Sequence, residues 1–84
     1  MVRINDWKKL ANTFRKHFRS SETTITDKKL VFQDSSATLE ITDDGKAVAE
    51  MPLHSFKTDK VERVSFSDES IQLTGEDFSY RFRK

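Results

Sequence analysis

The chain has no cysteine among its 84 residues, which removes disulfides, thiolate metal sites and cysteine nucleophiles together. Two glycines are too few for a loop of backbone amides that cradles phosphate, and there is no Gly-x-Ser-x-Gly turn to present an activated serine. No apolar run approaches the roughly 18 residues of a membrane span, and no signal-peptide core follows Met1. An excess of either charge is missing too. The 15 Lys and Arg face 14 Asp and Glu for a net +1, which excludes polyanion binding by bulk charge alone. Hydrophobic residues make up only 35% of the chain, yet Leu, Ile, Val and Phe supply 21 of the 84, above the level at which disorder is the default. The expectation is a small soluble cytoplasmic protein, with residues 1–84 as a single domain.

What is present divides by period. Ile4, Trp7, Leu10, Ala11, Phe14 and Phe18 fall within an arc of about 120°, the width of a core-facing helical stripe. The spacing predicts an amphipathic helix over about 5–19, with Asn5 or Asp6 capping its start and Ser20-Ser21 ending it. From Glu22 onward the period becomes two. Ala37, Leu39 and Ile41 alternate with polar residues, Asp43-Asp44-Gly45 reads as a hairpin turn, and Ala47, Ala49 and Met51 continue the apolar face. Strands are expected at about 22–26, 29–33, 37–42, 46–51, 61–67, 70–74 and 77–83. The fold class is α+β: an N-terminal amphipathic helix packed on a bent antiparallel meander of six or seven strands.

Phe32-x-Asp34-x-Ser36-x-x-Leu39 recurs as Phe66-x-Asp68-x-Ser70-x-x-Leu73, and Thr-Asp-Lys precedes each copy at 26–28 and 58–60. This suggests two repeated three-stranded units. The competing explanation is that turn chemistry selects Asp and Ser wherever a hairpin closes.

Sites of chemistry are scarce. His17 sits among Lys16, Arg15 and Arg19, where positive neighbours disfavour a second proton and repel a cation. Two histidines without a carboxylate at ligand spacing do not define a metal site, so neither metal nor cofactor is expected. Asp43-Asp44-Gly45 lacks the alternating ligands and closing glutamate of a calcium loop. No arrangement points to catalysis, and the chain is read as no enzyme.

Charge is nonetheless distributed unevenly. Residues 1–20 carry a net +5, residues 21–79 a net −7 and residues 80–84 a net +3. Lys8, Lys9, Arg15, Lys16 and Arg19 lie on the helix arc opposite the apolar stripe. That arc is a solvated outer face, a phosphate-contacting surface or a membrane-surface helix. On the last strand Arg81 and Arg83 share one face while Phe78, Tyr80 and Phe82 share the other, which is either core or an open stacking platform. The stretch Met51–Lys57 is too apolar for an ordinary loop and holds the only proline, Pro52. It either plugs the open end of the curled sheet or forms an exposed patch.

Two functions follow. The first is a non-catalytic interaction module for a protein partner or a second copy of the chain, with Met51, Leu53, His54 and Phe56 at the interface. The alternative is weak, sequence-tolerant nucleic-acid binding through Lys8, Lys9, Arg15, Lys16, Arg19, Arg81 and Arg83.

Overall fold

The structure is a computed structural model that describes residues 2–18, 22–34, 36–52, 54–68 and 70–83. The α+β class with antiparallel strands holds, but the described residues form nine strands in two sheets rather than one meander of six or seven. In chain order these are β1 (Val2–Arg3), α1 (Trp7–His17), β2 (Thr23–Ile25), β3 (Lys29–Gln33), β4 (Thr38–Thr42), β5 (Ala47–Met51), β6 (His54–Thr58), β7 (Arg63–Ser67), β8 (Ser70–Thr74) and β9 (Ser79–Arg83). Strands β2 to β6 make a five-stranded meander in sequence order. The second sheet is ordered β1-β7-β8-β9, so the amino-terminal strand crosses to the late strands.

Two strands escape the period-two pattern. β1 has only two residues, too few to show alternation, and is fixed by pairing Val2 with Val64 and Arg3 with Arg63. β6 occupies the stretch expected to be a connector. Met51 pairs with His54 across a turn that contains Pro52, where a missing N–H costs no ladder bond.

Helix α1 is shorter than expected, because Val2–Arg3 joins the second sheet and Ile4 N–H donates to Glu62 O at 2.9 Å. Asp6 stands at the N-cap without a side-chain capping bond, so the expected cap is not made there, and Asn5 lies outside the helix. At eleven residues the helix is about 16 Å long, too short to cover a whole sheet. It packs instead against β1 and β2, one strand of each sheet, and so closes the seam between them. At the opposite side Phe56 of β6 stacks on Tyr80 of β9 with ring centroids 4.1 Å apart. The two sheets therefore curl around one core.

That core follows from register. Phe32, Leu39, Ala49 and Phe56 form one row on the inner face, and Leu30, Ile41 and Ala47 form the next. In the other sheet Phe66, Ile71 and Phe82 make a row beside Val64, Leu73 and Tyr80. Leu10 and Phe14 enter from the helix, and Phe18, just past its end in extended conformation, stacks on Phe32 at 4.2 Å.

The proposed repeat does not persist in register. Phe32 lies directly opposite Leu39 across a loop spanning 34–37, whereas Phe66 lies opposite Ile71 across a two-residue turn, and Leu73 faces Val64. What the copies share is turn chemistry. Thr26 Oγ1 accepts from Lys28 N–H at 3.3 Å, and Thr58 Oγ1 accepts from Lys60 N–H at 3.2 Å. In the 34–37 loop Asp34 accepts the N–H groups of Ser36 and Ala37, both at 2.8 Å, and these bonds hold its carboxyl below the usual range.

Two glycines sit where backbones meet. Gly45 takes φ +94° in the β4–β5 turn and its carbonyl accepts Val61 N–H at 2.9 Å. At Gly75 a Cβ would run into the Lys60 carbonyl oxygen and the Phe78 ring. Gly75→Ala is accordingly expected to lower stability by about 1–3 kcal/mol through overpacking against fixed backbone, measured as a shift in urea midpoint. A variant within 0.5 kcal/mol of the parent would show that the β8–β9 turn relaxes freely.

Candidate functional site

The two sheets differ on their outer faces. On the five-stranded sheet the outward strand positions carry both signs of charge, with Lys29, Glu40, Glu50 and Lys57 set among threonines, valines, a glutamine and a serine. Glu40 lies beside Val31 and Val48, and Lys29 Nζ pairs with Glu40 Oε1 at 3.2 Å. On the four-stranded sheet the ten outward strand positions are Arg3, Arg63, Ser65, Ser67, Ser70, Gln72, Thr74, Ser79, Arg81 and Arg83, with no carboxylate among them. They share the face opposite the buried Val2, Val64, Ile71, Leu73 and Phe82, although Ser70 at its end is itself buried. Period two thus collects four arginines from three strands onto one surface and separates them with hydroxyls and one amide.

The arginines have few protein partners. Arg81 donates to Gln72 Oε1 at 3.3 Å, and Gln72 in turn hydrogen-bonds Ser79 Oγ. Both ion pairs seen among the described residues lie elsewhere, at Lys29–Glu40 and Lys46–Asp44. Arg63 Nε is buried with no hydrogen-bond partner in the described structure. At one end of the face, Ser67, Ser70 and Arg83 line a shallow depression of about 430 Å³ together with Asp68. The Ser67 and Ser70 hydroxyls are 2.6 Å apart there. Apart from Asp68 at that depression, the surface offers charge-assisted donors to anionic oxygen atoms.

The residues singled out from sequence fall into three places. Arg81 and Arg83 lie on the arginine face. Lys8, Lys9, Arg15 and Lys16 are exposed on α1, where Arg15 Nη1 donates to Asn12 Oδ1 at 3.1 Å. Lys8 and Arg15 border a cleft of about 470 Å³ that also involves Trp7, Ala11 and Ile25. Arg19 lies outside the described residues. The third group is dispersed: Leu53 and the His54 side chain also lie outside the description, while Met51 and Phe56 are half-buried against the core.

Phe56 tilts against Phe78 at 5.6 Å as well as stacking on Tyr80, and Phe82 is fully buried. The open stacking platform is therefore excluded for β9, whose aromatic face points inward. Burial pushes the Tyr80 phenol above its ordinary pKa. Arg3 and Arg63 were not among the expected cations. Arg63 was legible, since Arg63, Ser65 and Ser67 alternate with Val64 and Phe66.

His17 lies edge-on to Phe66 with centroids 5.2 Å apart, which makes it a boundary residue of the core. Among the described residues no group of three or more His, Asp or Glu side chains could hold a metal ion, and no helix is long and apolar enough to cross a membrane. Comparison with protein-family models, with curated proteins and with solved structures gives no match for this chain.

Proposed function

We propose that the chain is a non-catalytic binding module for a nucleic-acid phosphate backbone, with the outer face of the four-stranded sheet as its contact surface. The observation that carries this reading is the row-by-row register that gathers Arg3, Arg63, Arg81 and Arg83 on a face whose outward strand positions hold no carboxylate. Phosphate oxygens accept from guanidinium groups bidentately, and the intervening serine, threonine and glutamine side chains supply further donors. No apolar side chain occupies those positions, which disfavours both a membrane surface and the desolvated centre of a protein interface. With the β9 aromatics turned inward, contact by phosphate rather than by stacked bases makes the binding sequence-tolerant.

Fluorescence anisotropy with a labelled mixed-sequence oligonucleotide at about 50 mM salt tests this. Arg81→Glu with Arg83→Glu is expected to abolish binding, while Lys9→Glu with Lys16→Glu on the helix leaves most of it. The converse pattern would transfer the site to the helix arc. Unchanged affinity in both would remove the nucleic-acid reading.

The protein-partner reading retains one support. β6 ends the five-stranded sheet, and no further strand pairs with it among the described residues, so a second chain could add there. Sedimentation across a hundredfold concentration range checks self-association, and a monomer throughout removes the homodimer.

A further inference from the structure

We propose that Arg3 and Arg63 form a clamp that holds a single phosphate group between two guanidinium groups; this rests on the phosphate-binding reading and names its anchor. Arg3 stands directly opposite Arg63 on the same face, because Val2 and Val64 pair one residue away and are both buried. Side chains directly opposite in an antiparallel pair start about 4.5–5.5 Å apart at Cβ, and like charges there repel. The guanidinium groups offer donors only, so neither arginine can accept a hydrogen bond from the other to offset the repulsion.

The surroundings do not neutralise that charge. Arg63 faces Thr74 on its other side, and neither arginine has a carboxylate within ion-pair distance in the described structure. Glu62 is the nearest acidic residue in sequence, but the contact that joins it to β1 is its backbone oxygen, which accepts Ile4 N–H. Arg63 Nε, buried without an acceptor, adds to the shortfall. An anion that accepts from both guanidinium groups turns the repulsion into two charge-assisted bonds. By contrast, the depression beside Ser67, Ser70 and Arg83 has Asp68 at its rim, which opposes an anion. Because β1 reaches its sheet through this one two-residue pairing, an anion that joins Arg3 to Arg63 also ties the chain start to β7. Phosphate binding and thermal stability are thereby linked.

The test compares the thermal midpoint in sodium phosphate with that in sodium chloride at equal ionic strength. The parent is expected to gain about 4–8 °C in phosphate once its concentration exceeds the Kd about fivefold. Arg3→Gln, a change at an exposed position, should lose that increment and be more stable than the parent in chloride. Lys9→Gln with Lys16→Gln, exposed on α1 away from the arginine face, should keep the increment, which separates the clamp from the general stabilising effect of phosphate salts. An equal increment in parent and Arg3→Gln overturns the clamp, as does no increment in the parent. If Arg3→Gln binds the oligonucleotide as the parent does while Arg81→Gln with Arg83→Gln loses it, the clamp fails and the arginine face stands. If the parent binds no oligonucleotide but loses its phosphate increment on Arg3→Gln, the clamp stands as a site for free phosphate and the nucleic-acid reading fails.

Discussion

Replacing Phe82 with alanine is expected to remove about 3–5 kcal/mol of stability, the range for deleting a fully buried phenylalanine. Phe82 has no exposed surface, lies opposite Ile71 in its own sheet and meets Phe32 of the other sheet edge-on at 6.1 Å. The loss would therefore open a void where the two sheets meet, and neither sheet can collapse into it without disturbing its own ladder. A chain of 84 residues has a total stability of about 4–13 kcal/mol, so this one change approaches the margin of folding. Urea denaturation of the parent and the variant measures it, with an unchanged m-value as the sign that the denatured state is unaltered. A loss below about 1 kcal/mol would contradict full burial of the ring.

The same substitution bears on the proposed site. Arg81 and Arg83 flank Phe82 in sequence and occupy the opposite face of β9. Burying Phe82 is what turns both guanidinium groups outward, so the packing of the core and the orientation of the binding face are one constraint. Where the variant remains folded, the β8–β9 ladder still alternates and keeps Arg81 and Arg83 outward, so its oligonucleotide affinity should stay near that of the parent.

How much of this was legible depended on how many residues carried each signal. The stripe from Trp7 to Phe18 announced a helix because steps of three and four recur along it, and Leu39, Ile41, Ala47 and Ala49 announced paired strands by alternating over two runs. β1 offered no alternation in two residues, and its partner lies some sixty positions away, where nothing local can report it. β6 was concealed by Pro52 and by three apolar residues within six positions, a composition that resembles a plug as much as a strand.

The candidate site was half legible for the same reason. Arg81 and Arg83 stood out through alternation on a single strand. Their meeting with Arg3 and Arg63 depends on the order β1-β7-β8-β9, which is a property of the tertiary pairing. The helix cations looked like the dominant basic surface because they cluster in sequence, whereas the arginine face is assembled from three separated segments. Whether Met51–Lys57 plugs the sheet or forms an exposed patch stayed open in the sequence because the contact that decides it for Phe56, its stacking on Tyr80 of β9, is equally non-local.

Salt provides the sharpest quantitative expectation for the proposed function. Each phosphate neutralised by a lysine or arginine releases condensed counterions, so log K falls with log salt at about −0.9 per contact on duplex DNA, or about −3.6 for four arginines. Raising salt from about 50 to 200 mM should then weaken binding about 150-fold. The Arg81→Gln, Arg83→Gln variant retains two contacts, and its slope should halve to about −1.8, a loss of about 12-fold over the same interval. These two slopes separate the arginine face from a diffuse electrostatic attraction. With the four helix cations as the contacts, removing Arg81 and Arg83 would lower neither the slope nor the low-salt affinity. With four arginines as the contacts, both fall together, because each side chain removed takes its own share of counterion release. A parent slope near −1 would mean that a single contact dominates, and the shared surface of Arg3, Arg63, Arg81 and Arg83 would then not be the binding face.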